Sequence, residues 1–304
     1  MEAGARARRP AATASWVYGA REVVGDYVAL TKPRVISLLL VTTLATMFVA
    51  SSSPPIGLIL ATMIGGYLAA GGAGAINHYI ERDIDARMAR TSRRPLPDGR
   101  VEPRAALLFG IALAAAAFAL FALAVNMTAA LLAMAGLLGY VFVYTLWLKP
   151  LTAQNIVIGG AAGAVPPLVG WAAAAGHLDA SAFYLFAIVF YWTPPHFWAL
   201  ALLIKDDYAR TGIPMLPVVD GEAETRRQIL LYGWLLLAIT ALPLIGGLFG
   251  PVYGIAAAAL DAVFLWLCVR LHRRADRRSA AILFHYSLAY LALLFAAMAV
   301  DHLV

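Results

Sequence analysis

All 23 lysines and arginines of this 304-residue chain fall into five stretches, and long apolar blocks separate those stretches in pairs. A helix needs ~20 apolar residues to cross the hydrocarbon of a bilayer. Nine blocks approach that length: 35–53, 56–79, 104–124, 128–147, 153–174, 181–203, 228–248, 252–271 and 280–300. Short turns at Asn126 and at Gly250–Pro251 join two of the pairs. With the N-terminus in the cytoplasm and nine crossings, the inner segments hold Arg6–Arg34, Arg82–Arg104, Lys149, Lys205–Arg227 and Arg270–Arg278. The outer loops at Asn126, His177–Asp179 and Gly250 and the tail Asp301–Val304 then hold no basic residue. Basic residues flanking short loops resist translocation, so this bias sets orientation. One span more or fewer would scatter the charges over both faces.

The expected fold is therefore an all-α integral membrane protein: a nine-transmembrane-helix bundle with its N-terminus cytoplasmic and its C-terminus outside. A cytoplasmic tail over 1–26 precedes one transmembrane domain over 27–304. Composition agrees, since 62% hydrophobic and 13% charged residues leave too little charge to cover a soluble surface of this size. The net charge of +6 is spread over rims that face anionic headgroups, which excludes nucleic acid as the partner and makes the lipid bilayer the surroundings. The single cysteine, Cys268, excludes a disulfide framework. The Arg/Ala-rich start lacks clear targeting features and favours a bacterial inner (plasma) membrane.

Polar residues inside apolar spans are costly and usually have a task. Two clusters stand out, both at cytoplasmic ends. The first continues the second span: at ~100° per residue, Asn77, Glu81 and Asp85 fall on one helical stripe. Three oxygen-bearing side chains at a membrane mouth suit Mg²⁺, which bridges carboxylates to substrate phosphates. Asp83 points away from that stripe, and His78 is read as structural. The second cluster ends span six, where Pro194 and Pro195 are expected to break or kink the helix and present His196 to the interior. Asp206 and Asp207 follow, and either can supply a further metal ligand. Lys149, alone in its loop, joins Arg90, Arg93 and Arg94 as cations for a polyanion such as a diphosphate. Arg93 and Arg94 serve equally well as topology signals.

The spacing Asn77-x-x-x-Glu81-x-x-x-Asp85, followed by Met88, Arg90, Thr91, Arg94, Pro95 and Leu96, resembles the UbiA superfamily of intramembrane prenyltransferases, and within it the heme-farnesylating branch. Tyr144, Lys149, Asn155, Pro195, His196, Asp207, Tyr208 and the run Gly212–Pro217 extend that resemblance over roughly residues 25 to 300. One position departs: four residues beyond Asp207 stands Thr211 where a second acid is common, leaving Asp206 as substitute or the second ion more weakly held. The resemblance implies transfer of a farnesyl group from farnesyl diphosphate to a vinyl group of heme B, giving heme O. It implies Mg²⁺ on Asn77, Glu81, Asp85, Asp207 and Asp206, with Lys149 and Arg90 stabilising the leaving group. Arg93, Arg94, His196, Tyr144, Asn155 and Tyr208 are the implied substrate contacts, and a heme-modifying or oxidase-assembly protein is the implied downstream partner. Transfer to 4-hydroxybenzoate or a quinone precursor, and a non-catalytic heme transporter, stand as alternatives.

Overall fold

The computed structural model describes residues 19–304. The first part of the expected tail, 1–18, lies outside the described residues. A short helix α1 (Ala20–Thr31) leads into α2 (Pro33–Ala50), α3 (Ile56–Asp85) and α4 (Pro103–Ala124). The fourth crossing comprises α5 (Met127–Leu138), a π-helical stretch Gly139–Leu148 and α6 (Lys149–Leu151). The fifth is α7 (Asn155–Gly163) followed by α8 (Val165–Ala175), and the sixth is α9 (Ala180–Leu203). Short helices α10 (Lys205–Thr211) and α11 (Leu216–Val219) precede the last three crossings, α12 (Gly221–Ile245), α13 (Pro251–Arg274) and α14 (Arg277–Leu303). Among the described residues nine helical segments are long and apolar enough to span a membrane, as the apolar blocks predict.

The boundary expected at residue 26 falls inside α1, where the buried Asp26 pairs with Arg100 and ties this helix to the loop after α3. The bundle is apolar outside as well as inside. Leu123, Ile255 and Leu60 are exposed, with Leu123 at 88%, and Trp147, Trp234 and Trp266 also face outward. In water such a surface would aggregate; in lipid it is the appropriate solvent contact.

Helix contact in lipid relies on close packing because no hydrophobic effect separates helix from tail. The α3–α4 crossing shows this. A Cβ at Gly72 would stand 2.8 Å from the Gly110 carbonyl oxygen, and one at Gly110 would stand 2.7 Å from Ile76 Cγ1. The two backbones touch because both positions are glycine. Further round, α2 packs on α8 and α14, α9 on α12 and α14, and α13 between α12 and α14.

The proline pair does not break the sixth span. Helix α9 continues through Pro194 and Pro195. Neighbouring helices hold it: Trp192 Nε1 donates to the Ser287 carbonyl of α14 at 2.9 Å, and Thr193 Oγ1 bonds back to Val189 at 2.8 Å. Gly160 of α7 makes room for Thr193. Packing against α7 and α14 holds the helix through the two residues that lack a backbone donor.

Replacing Gly72 with Leu should wedge α3 from α4 and lower stability by about 1–3 kcal/mol or more. Unfolding midpoints in detergent would check this, and an unchanged midpoint would mean that the crossing is looser than described.

Candidate functional site

Several of the candidate residues converge on the last turns of α3. Asn77, Glu81 and Asp85 share one face and are all buried. Each meets a cation delivered by a different element. Lys32 Nζ donates to Asn77 Oδ1 at 2.5 Å, Lys149 Nζ pairs with Glu81, and Arg94 Nη1 donates to Asp85 Oδ2 at 2.7 Å. Asn77 Nδ2 in turn donates to Thr145 Oγ1 at 3.1 Å.

Local sequence explains each delivery. Lys32 sits between α1 and α2 in the left-handed region, φ 58°, with Pro33 opening α2, so the chain turns sharply there. That conformation is costly for a residue with a Cβ and persists only where its surroundings hold it. Thr145 and Lys149 follow from the π-helical stretch, whose wider turn shows in the Thr145 Oγ1 bond to the Tyr140 carbonyl five residues back, 2.9 Å. Tyr144 stacks on Tyr140 at 5.6 Å, and Gly159 of α7 leaves space for its ring. Arg94 is placed by the loop after α3. Thr91 Oγ1 donates to the Asp85 carbonyl at 2.9 Å, and Arg100 Nη2 donates to the Arg93 carbonyl at 2.9 Å.

The second cluster adjoins this one through Asp207 and Tyr208. Burial pushes the Asp207 carboxyl up, but hydrogen bonds from Arg210 and from the backbone N–H groups of Ala89 and Arg90 hold it below the usual range. Burial pushes the Tyr208 phenol up; the Arg90 cation opposes this, Glu81 and Asp207 add to it, and Arg94 opposes it again. Burial also pushes the Lys32 ammonium down to about 7, with the Arg94 and Lys149 charges working the same way and Glu81 and Asp85 against.

The structure thus assembles Asn77, Glu81, Asp85, Lys149 and Arg94 in direct contacts, while the buried Asp207 and Tyr208 sit on α10 beside the Ala89–Arg90 segment and Arg90 itself is exposed. It does not bring in Asp206. That residue is exposed and lines a separate cleft with Lys205, Glu222, Arg226 and Asp276. Neighbours on a helix point about 100° apart, so Asp207 can face the α3 loop only if Asp206 turns away. Arg93 is exposed. Asn155 is buried at the head of α7; its Nδ2 donates to the Thr152 carbonyl at 2.6 Å, and among the described residues its Oδ1 has no partner. His196 is not in the charged cluster. Its ring lies between Trp192 (4.4 Å) and Phe284 (4.9 Å), and Nδ1 pairs with Ser287 Oγ at 2.6 Å.

Sequence reasoning missed Lys32 and Thr145, which reach Asn77 across helices and leave no mark in any one helix's pattern. It set His78 aside, yet that imidazole is buried, and among the described residues neither nitrogen has a partner. It also passed over Asp261, an acid inside span eight. This carboxylate accepts from Thr240 Oγ1 and Tyr290 Oη, both at 2.6 Å, and joins α12, α13 and α14.

Chemically, two carboxylates and an amide on one face are hard oxygen donors. Among the described residues no group of three or more His, Cys, Asp or Glu stands ready to hold a metal. The set fits Mg²⁺ when an anionic ligand brings the remaining oxygens, as phosphates do. Lys149 and Arg94, with Lys32 in its protonated form, fit that same anion.

The UbiA prenyltransferase family profile matches residues 39–296. A protoheme IX farnesyltransferase of Roseiflexus sp. (strain RS-1) is 53% identical over 287 residues, covering 94% of this chain and 54% of that protein. The chain spans about half the length of such relatives. A protoheme IX farnesyltransferase of Symbiobacterium thermophilum is 54% identical over 283 residues, 92% of this chain and 95% of that protein. Among solved structures, a UbiA homolog from Archaeoglobus fulgidus bound to GPP and Mg2+ shares the fold, with a TM-score of 0.67, 16% identity and coverage of 90% of this chain and 99% of that one.

Because Asp207 lies against the backbone at Ala89–Arg90, Asp207→Ala should speed tryptic cleavage after Arg87, Arg90 and Arg93 several-fold. Asp206→Ala should leave the cleavage rate as it is. Equal rates in both variants would detach Asp207 from that loop.

Proposed function

This chain belongs to the UbiA prenyltransferase family, and we propose that it transfers a farnesyl group from farnesyl diphosphate to a vinyl group of heme B, giving heme O and diphosphate. The observation that carries this reading is the stripe Asn77–Glu81–Asp85 with a cation against each member, at one end of an apolar bundle. The names of relatives above 50% identity support the substrates. The one-sided distribution of lysines and arginines between successive apolar blocks of the sequence supports a cytoplasmic site, with N-terminus inside and C-terminus outside, in a bacterial plasma membrane. Heme O leaving the membrane enzyme calls for a heme-modifying or oxidase-assembly partner.

In this reading Asn77, Glu81 and Asp85, with Asp207 from α10, would hold Mg²⁺, which when bound would supply positive charge to the diphosphate leaving group. Lys32, Lys149 and Arg94 turn from the α3 oxygens to the diphosphate oxygens, and Arg90 adds its charge from the rim. The C1–O bond of farnesyl diphosphate breaks with its electron pair going to diphosphate. The vinyl group then forms the new carbon–carbon bond to C1. Water adds its oxygen to the porphyrin-side cation and loses a proton. Tyr144, Tyr208 and the apolar core around them restrict other water, which would capture the allylic cation first.

His196 is assigned to orient heme. Ser287 holds Nδ1 and two aromatic rings fix the plane, the kind of support that a metal-ligating imidazole needs, with Nε2 as the nitrogen for iron. A heme titration checks this: His196→Ala should shift the Soret band and weaken heme binding, and an unchanged spectrum and affinity would remove the role.

Purified protein given Mg²⁺, farnesyl diphosphate and either heme B or 4-hydroxybenzoate, with products read by mass, tests the reaction itself. The expected product is heme O alone. Asp85→Ala should lower turnover on the order of 10²-fold or more, and Asp206→Ala should stay within about twofold of the parent, in line with its place outside the cluster. Prenylated benzoate, or full activity in Asp85→Ala, would overturn the reading.

A further inference from the structure

The turn between α13 and α14 gathers Arg270, Arg273, Arg274, Arg277 and Arg278. Basic residues at a cytoplasmic rim serve topology without any further task, so charge alone assigns nothing here. Three observations go beyond it. First, among the described residues none of these five arginines forms an ion pair; Arg21, Arg34, Arg87, Arg90, Arg93 and Arg104 are also without one, but only here do five such guanidinium groups fall within nine residues. The acid within the turn, Asp276, commits Oδ1 to the backbone N–H of Ser279 at 2.6 Å as the cap of α14.

Second, the charges border a shaped recess. Trp266, Val269, Arg270, Arg273 and Arg274 line a surface concavity of about 310 Å³. Third, its chemistry is graded along the helix axis. Trp266, 58% exposed, stands one turn nearer the bilayer centre than Arg270, whose guanidinium lies over the indole at 5.6 Å. Among the described residues the buried Arg270 Nε has no partner. Arg273 and Arg274 are exposed beyond it.

We propose that this recess binds the headgroup of an anionic phospholipid of the phosphatidylglycerol class. Arg270, Arg273 and Arg274 take the phosphate, while Trp266 and Val269 lie along the glycerol and the first acyl carbons. A free phosphate would use the arginines and leave the apolar wall idle, so the lipid is the better match. A tryptophan at headgroup depth beneath paired arginines is also the arrangement that membrane interfaces favour. None of the lining residues belongs to the α3 cluster, so this site stands apart from the one that does the chemistry.

The test uses the full chain purified in detergent, with the thermal unfolding midpoint followed against added phosphatidylglycerol, phosphatidylcholine or inorganic phosphate. Phosphatidylglycerol should raise the midpoint saturably and the other two should not. An arginine near an anionic surface contributes about 1 kcal/mol, or about fivefold in affinity. Arg273→Gln with Arg274→Gln should therefore raise the half-saturating lipid concentration about 25-fold. The rim control Arg34→Gln with Arg104→Gln should leave it unchanged. Arg273→Gln alone, an exposed position that folding tolerates, should shift it about fivefold and serves if the double variant misfolds. An undiminished response in the Arg273 and Arg274 variants, an equal loss in the rim control, or the same stabilisation by inorganic phosphate would each overturn the proposal.

Discussion

Two carboxylates and an amide on one face of α3, buried where little water reaches, need charged and hydrogen-bonding partners from elsewhere in the bundle. Lys32, Lys149 and Arg94 meet that demand from the α1–α2 turn, the end of the π-helical stretch and the loop after α3. Removing one partner of a buried pair leaves an uncompensated charge, at about 3–5 kcal/mol. Three otherwise distant segments are thereby tied to one helix end. In the proposed reaction the same pairing would keep both signs of charge within reach of a diphosphate, the cations for its oxygens and the α3 oxygens for its metal.

The scaffold serves this placement. Glycine against glycine brings the α3 and α4 backbones into contact below the polar end of α3. The Asp261–Thr240–Tyr290 bonds do comparable work among α12, α13 and α14, where a buried acid becomes a joint because two hydroxyls donate to it. The prolines of α9 are absorbed by packing on both sides. Its histidine is set by a serine on α14.

Much of the architecture was legible from the chain. Apolar runs and one-sided charge predict nine crossings, because bilayer thickness and the resistance of cations to translocation act on local sequence. The Asn77–Glu81–Asp85 stripe was equally legible, since i, i+4 spacing fixes a helix face. What the sequence concealed is what crosses between helices. Lys32 reaches Asn77 from 45 residues away. The choice of Asp207 over Asp206 depends on which side of α10 faces the loop at Ala89. The expected break at Pro194–Pro195 failed because neighbours supply what the local rule leaves out. Asp261 carried a readable signal, an acid inside an apolar span, and only its partners were hidden.

The central claim is that the α3 oxygens become a metal site when a diphosphate draws their cations away. Mn²⁺, a spin-active substitute for Mg²⁺, tests this directly in the purified protein by electron paramagnetic resonance. The account predicts weak Mn²⁺ binding alone, tight binding once inorganic diphosphate is added, and loss of the tight component in Glu81→Gln with Asp85→Asn. Tight binding without diphosphate, or a diphosphate-dependent signal that survives both substitutions, would contradict it.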